Sequence, residues 1–199
     1  MKQYHDDFLL HLSSTDPVLH KVVIENGVII LPTKHTPFTH LIRIIAGQQL
    51  SLKSAETIYS RVESHLGKGY SPQEVLSCTQ HELRELGLSN SKVKYMQAVA
   101  EAAGPDCINF IDMHKMSNDE VMKRLIEIKG IGVWSSQMFL MFQLQRKDVF
   151  APGDLGLKKA MSILYGYPME GSEKLWSKRA ETWSPFRTLA SLHLWKSLE

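Results

Sequence analysis

The chain has 199 residues and a mass of 22.7 kDa, enough for one large domain or two small ones around a real core. Hydrophobic residues make up 43% and charged residues 22%, the balance of a globular rather than a disordered chain. Mean hydropathy is −0.18 and no long uncharged apolar run occurs, which excludes a transmembrane helix and predicts no membrane partner. Cys78 and Cys107 are the only cysteines, so the chain alone builds neither a disulfide scaffold nor a four-cysteine zinc or iron–sulfur site. The polar, acidic opening from Met1 to Asp7 does not suit a signal peptide. Together these features predict a reducing, intracellular setting: cytoplasmic and nucleoid-associated in a bacterium, nuclear in a eukaryote. Net charge is only +2, but it is unevenly spread. Residues 121–199 hold twelve Lys and Arg against seven Asp and Glu, where residues 1–120 hold eleven against fourteen. The second part is thus basic enough to face an anionic partner.

Helix signals dominate in chain order. Val28-Ile29-Ile30-Leu31, between Gly27 and Pro32, is the best strand candidate, and no partner strand lies near it. Thr36-Pro37 then opens a helix with Phe38, Leu41, Ile42 and Ile45 at helical spacing. Ser51 is placed to cap the next, which carries Ala55, Ile58, Tyr59 and Val62. Ser71 with Glu74, and Ser117 with Glu120, have capping-box spacing. Ser89 opens a helix through Val93, Met96 and Ala100, stopped by Gly104-Pro105. Further helices are predicted over Val133–Leu144, Leu155–Leu164, from Ser172, and at the end of the chain. The class is all-α, with about nine or ten helices.

Leu125-Ile126-Glu127-Ile128-Lys129-Gly130-Ile131-Gly132-Val133-Trp134 is the most informative stretch. One helix ends near Glu127, the chain turns through Gly-Ile-Gly, and another starts near Val133. Glycines permit positive φ and a close backbone approach. The new helix offers backbone N–H groups and the positive end of its dipole, which suits a phosphate oxygen. Ile131 is placed to plug the core between the two helices. This is the pattern of a helix-hairpin-helix grip on DNA backbone, with Gly130, Gly132 and Val133 as the contact residues. An ordinary tight helix–helix turn would carry the same Gly-x-Gly.

About twenty residues later comes Asp148-Val149-Phe150-Ala151-Pro152-Gly153-Asp154, with Asp154 at a helix start. Such an Asp is commonly a plain N-cap. Two further segments stand out: Arg43-Ile44-Ile45-Ala46-Gly47-Gln48-Gln49-Leu50-Ser51, and Trp183-Ser184-Pro185-Phe186-Arg187 with Leu192-His193-Leu194-Trp195. In this order, over about residues 36–196, the four segments resemble the helix-hairpin-helix (HhH-GPD) superfamily of DNA glycosylases. The resemblance is strongest to the 3-methyladenine DNA glycosylase II type.

The resemblance implies a monofunctional base-excision repair glycosylase that hydrolyses the N-glycosidic bond of alkylated purines, of 3-methyladenine and 7-methylguanine type, after base flipping. Its partner is double-stranded DNA containing damaged bases; a monomer without a cofactor is expected. Asp154 matches the catalytic carboxylate, whose charge suits the oxocarbenium character that develops on the sugar. Trp134 and Trp195 match aromatic positions lining the base pocket, where ring faces attract a cationic base. Met138 and Leu155 stand where the family pattern has aromatics, which implies a more adaptable pocket. Lyase relatives carry a lysine at the position of Trp134; tryptophan cannot form a Schiff base, so no lyase activity is expected. Lys129 lies nearby but on the other arm of the hairpin. Gln48, Gln49 and Leu50 supply the wedge that fills the space left by the flipped base; Gln49 stands where the glycosylase II pattern has Leu. His193 reads as structural. No zinc spacing is present, though the resemblance permits a monovalent cation at the hairpin carbonyls.

The implied architecture is two helical subdomains with a DNA-binding cleft between them, lacking the N-terminal β-domain of the bacterial enzyme. Residues 50–160 would form a central helical barrel carrying the hairpin at about 121–145, and residues 1–49 and 161–199 the second subdomain. Two rivals stay open: a glycosylase for other damaged or deaminated bases, and a non-catalytic helix-hairpin-helix DNA-binding module.

Overall fold

A computed structural model of the protein describes residues 2–30, 35–104, 110 and 112–199. Among these residues twelve α-helices run in chain order: α1 (Lys2–Thr15), α2 (Pro17–Asn26), α3 (Pro37–Gly47), α4 (Leu52–Leu66), α5 (Pro72–Ser77), α6 (Gln80–Glu85), α7 (Asn90–Ala102), α8 (Asn118–Ile126), α9 (Val133–Met138), α10 (Leu155–Tyr165), α11 (Glu173–Glu181) and α12 (Arg187–Lys196). A 3-10 turn, Asp112–Lys115, precedes α8, and α9 runs on into a π-helical turn at Phe139–Gln143. There is no strand among the described residues. Val28, Ile29 and Ile30 are irregular, while Leu31 of the strand candidate, Pro105 and Cys107 lie outside the described residues. No described helix is long and apolar enough to cross a membrane.

The caps read from the sequence form. Thr36 Oγ1 accepts from Thr39 N at 3.2 Å with Pro37 in the first turn, and Ser51 and Ser89 do the same for α4 and α7. Glu74 and Glu120 accept from the N–H groups of Ser71 and Ser117 at 2.6 and 2.7 Å, closing both capping boxes. A third box, Thr79 with Glu82, starts the short α6, which the sequence reading does not separate out. Helices α1 and α2 are additions too.

The chain divides into two compact units: residues 33–144, and a discontinuous one of residues 1–32 and 145–199. The sequence reading places these divisions at 49/50 and 160/161. Two features move them. Helix α3 buries eight of its eleven residues, so it is a central helix of the 33–144 unit, packed by α4, α7 and α9. Segment 146–149, in turn, is bonded to α12: Thr188 Oγ1 donates to Arg146 O at 2.6 Å and accepts from Val149 N at 3.1 Å, and Thr188 N donates to Lys147 O at 3.1 Å.

The core of the 33–144 unit holds Leu41, Ile45, Tyr59, Met96, Leu125 and Phe139. The discontinuous unit buries Phe8, Leu12, Leu157, Trp176 and Trp183 around a polar hub. Asp16, only 1% exposed, caps α2 and accepts from Tyr165 Oη and Trp183 Nε1, each at 2.8 Å. Arg179 lies 3.7 Å from the same carboxylate. A buried carboxylate survives only with donors of this kind around it.

Candidate active site

Asp154 is the N-cap of α10, and its side chain does two jobs. Oδ1 accepts from Leu157 N at 2.8 Å, satisfying one of the helix's first N–H groups. The same oxygen accepts from Trp195 Nε1 at 2.8 Å. Trp195 is half-buried, two turns along α12 from Thr188. The α12 helix therefore holds the Asp154 loop at both ends: Arg187 and Thr188 at residues 146–149, Trp195 at the carboxylate. Arg187 binds Asp148 through Nε at 2.7 Å and an Nη at 2.9 Å, and Ser184 Oγ adds a bond at 2.8 Å. Burial works to raise the Asp148 pKa, but these donors outweigh it and hold the group below the usual carboxylate range.

Gly156 makes the Trp195 contact possible. A Cβ there would stand 2.9 Å from Trp195 Cδ1 and 3.1 Å from Asp154 Oδ1. The signal was in the sequence, since glycine in a helix's first turn is unfavourable unless something needs the space. Leu155, expected in the base pocket, is 74% exposed at the start of α10. His193 is fully buried and structural: Asn26 Nδ2 donates to its carbonyl at 2.9 Å and lies 3.3 Å from its Nδ1. Burial, with His5 and Lys196 nearby, lowers the His193 pKa to about 4.

The hairpin forms as expected in the 33–144 unit. Helix α8 ends at a Glu127 cap, Ile128 and Ile131 are buried, and Ile131 N donates back to Ile128 O at 3.0 Å. The two glycines differ in kind. Gly130 has φ +94°, and a Cβ on it would lie 2.2 Å from Cγ of Tyr95 on α7. Gly132, the N-cap of α9, has φ −107°, and a Cβ there meets nothing within 4 Å. Gly130 is required by the fold; Gly132 leaves open space over the first turn of α9. Gly132 and Val133 are exposed, Val133 by 54%. Trp134 is half-buried in that turn, and Met138 is 6% exposed, in the unit's core. Lys129 is exposed.

The expected wedge residues separate. Gln48, at the end of α3, donates through Nε2 to Gly130 O at 2.9 Å and to Ser135 Oγ at 3.1 Å. Its side chain is committed to the hairpin. Gln49 stands exposed at the tip with φ +57°, and Leu50 is 41% exposed beside it. Lys92 Nζ of α7 donates to Ala46 O at 2.8 Å, just before the tip. Nothing in the sequence around Tyr95 or Lys92 marks them, because their contacts lie 35 and 46 positions away.

No cluster of three or more His, Cys, Asp or Glu among the described residues could hold a metal ion. Of the hairpin carbonyls, that of Ile128 accepts from Ile131 N and that of Gly130 from Gln48. A shallow depression of about 690 Å³ on α4, lined by Thr57, Arg61, His65 and Leu86 among others, contains none of these residues.

Comparison with known proteins bears on this arrangement. DNA-3-methyladenine glycosylase 1 of Schizosaccharomyces pombe is 34% identical over 167 residues, covering 82% of this chain and 73% of that protein. The structure of an S. pombe 3-methyladenine DNA glycosylase in complex with abasic DNA superposes with TM-score 0.89 at 31% identity, covering 96% of each chain. A DNA-3-methyladenine glycosidase from Bacillus halodurans gives TM-score 0.77 at 36% identity, covering 94% of this chain and 86% of that one. Residues 42–185, which include the tip, the hairpin and Asp154, match the HhH-GPD family as a whole, and the chain therefore belongs to the HhH-GPD superfamily of base excision DNA repair proteins.

Proposed function

We propose that this protein is a monofunctional DNA glycosylase that removes alkylated purines, of 3-methyladenine and 7-methylguanine type, from double-stranded DNA. The observation that carries this reading is the Asp154 carboxylate, which lies in the segment that matches the family and is fixed by Leu157 N and by Trp195 Nε1. Names of relatives over most of both chains point to the same substrate class. The protein works as a monomer on damaged duplex DNA, wherever the cell keeps its genome.

The first turn of α9 grips a phosphate oxygen, with Gly132 leaving the backbone bare for its approach. Gln49, exposed at the tip, enters the stack when the damaged nucleotide leaves it, with Leu50 beside it. Trp195, bonded to Asp154, presents aromatic surface to the extruded base. Alkylation at N3 or N7 makes the purine a cation, so the C1′–N bond breaks with its electron pair going to the base, which leaves neutral. Positive charge then develops on the deoxyribose, and the Asp154 carboxylate stabilises it. Water adds at C1′ and gives up a proton, to Asp154 or to solvent. With tryptophan at position 134 no lysine lies on that turn to form a Schiff base, so the product is an intact abasic strand.

The test is release of methylated bases from alkylated duplex DNA by wild type and Asp154→Asn, with strand nicking scored before and after alkali. Release by wild type alone, with nicks only after alkali, is the expected result. Nicking without alkali would overturn the monofunctional assignment. No release of any damaged base, with DNA affinity intact, would favour a binding module.

A further inference from the structure

The tip that carries Gln49 is held from two sides within one unit. Gln49 is neither glycine nor asparagine, yet it has φ +57°. Such a conformation persists only where the surroundings over-determine it. On its N-terminal side, Lys92 Nζ donates to Ala46 O at 2.8 Å, at the negative end of α3. Gln48, the neighbour of Gln49, is bonded to Gly130 O and Ser135 Oγ of the hairpin. On the C-terminal side Leu50 N closes back on Gly47 O at 3.2 Å. Helix α7 serves both structures at once: Lys92 meets the tip, and one turn later Tyr95 packs against Gly130. The part that grips backbone and the part that enters the stack thus share a frame.

We propose that Lys92 and Gln48 are positioning residues that hold the Gly47–Leu50 tip in fixed register with the hairpin, so that seating the hairpin on a phosphate drives Gln49 into the base stack. The inference rests on the glycosylase reading above. Lys92 touches neither sugar nor base; it acts through the tip. Its ammonium is partly desolvated, which lowers its pKa and fits a group committed to one carbonyl.

The experiment uses the full chain and two DNA probes. One is a duplex with 2-aminopurine beside a tetrahydrofuran abasic site, whose fluorescence rises when the stack opens. The other is 7-methylguanine, placed either in a paired duplex or in an unpaired bulge. Lys92→Met is expected to bind undamaged duplex within about twofold of wild type. It loses roughly tenfold or more in excision rate from the paired site, the scale of one hydrogen bond from a charged group. The 2-aminopurine rise falls with it, while excision from the bulge stays within about threefold, because the stack there is already open. Lys92→Arg, which keeps a cationic donor, recovers most of the loss, and Gln48→Ala shifts the fluorescence in the same direction as Lys92→Met. Should Lys92→Met unfold, Lys92→Gln serves in its place. Wild-type fluorescence in these variants, or equal loss on paired and bulged sites, overturns the proposal. Absence of excision by wild type would count against the glycosylase reading alone, since the fluorescence measurement requires no bond cleavage.

Discussion

Replacing each hairpin glycine with alanine should separate folding from DNA binding. At Gly130 the new Cβ meets two obstacles. Positive φ costs an L-residue about 1–2 kcal/mol. The Cβ would also lie 2.2 Å from Tyr95 Cγ and 2.5 Å from its Cβ, so the ring must move, at an overpacking cost of about 1–3 kcal/mol. Together Gly130→Ala should lose about 2–5 kcal/mol, lowering Tm by roughly 4–20 °C for a chain of this size. At Gly132 the Cβ meets nothing within 4 Å and φ is −107°, which any residue adopts. Alanine is a poorer N-cap than glycine by some tenths of a kcal/mol, and reduced unfolded-state entropy returns about 0.4–1 kcal/mol, so Tm should hardly change. The methyl group then stands where the proposed grip places a phosphate oxygen. Losing one charge-assisted contact costs about 1.5–3 kcal/mol, roughly a 10- to 100-fold rise in Kd for duplex DNA. Calorimetry and fluorescence anisotropy at fixed salt make the comparison. Equal thermal losses at both positions, or unchanged DNA affinity in folded Gly132→Ala, would refute the assignment of Gly132 to the DNA.

Other expectations follow from the same contacts. Asp154→Asn should lower the single-turnover excision rate by roughly 10²–10³-fold while leaving the Kd for abasic DNA within a few-fold, because it removes charge and keeps a cap. Trp195→Phe keeps an aromatic face but deletes the N–H that meets Asp154 Oδ1, and should slow excision by roughly 3- to 30-fold with base affinity little changed. Asp16→Ala strips Tyr165 and Trp183 of a buried acceptor and should cost about 3–5 kcal/mol in urea denaturation. Stability should also fall with acidification in a defined window. Burial lowers the pKa of His40 and of His193 to about 4, so below pH 6.5 the unfolded chain takes up protons that the native chain refuses. The contribution is complete above pH 6.5 and shrinks by about 3 kcal/mol per histidine on approaching pH 4. A urea midpoint flat between pH 7 and 4.5 would contradict this.

Much of this was readable in the sequence, because the decisive signals are local. Ser51, Ser71, Ser89 and Ser117 sit one residue before their helices, and the physics of a cap operates within three residues. The hairpin and Ile131's place in the core are set by the chain around them. The division into units was less legible, since it depends on which helix is buried all round, and α3 shows this only through an apolar content that also suits an edge helix. The site partners were least legible. The pairing of Asp154 with Trp195 spans 41 positions and that of Gln48 with Gly130 spans 82, distances at which sequence alone offers only resemblance. Gln48 shows the limit well: a polar residue in a loop reads as a surface contact, and only its neighbours in space reveal it as a brace.

The discontinuous unit also sets an order on biosynthesis. The 33–144 unit, with tip and hairpin, is complete once its own residues have left the ribosome. The unit bearing Asp154 waits for Trp183 to reach Asp16, for His193 to reach Asn26, and for Trp195 to reach the carboxylate. The helix that fixes the Asp154 carboxylate is thus made after every other described helix. A chain stopped before α12 lacks the indole N–H that holds the Asp154 carboxylate.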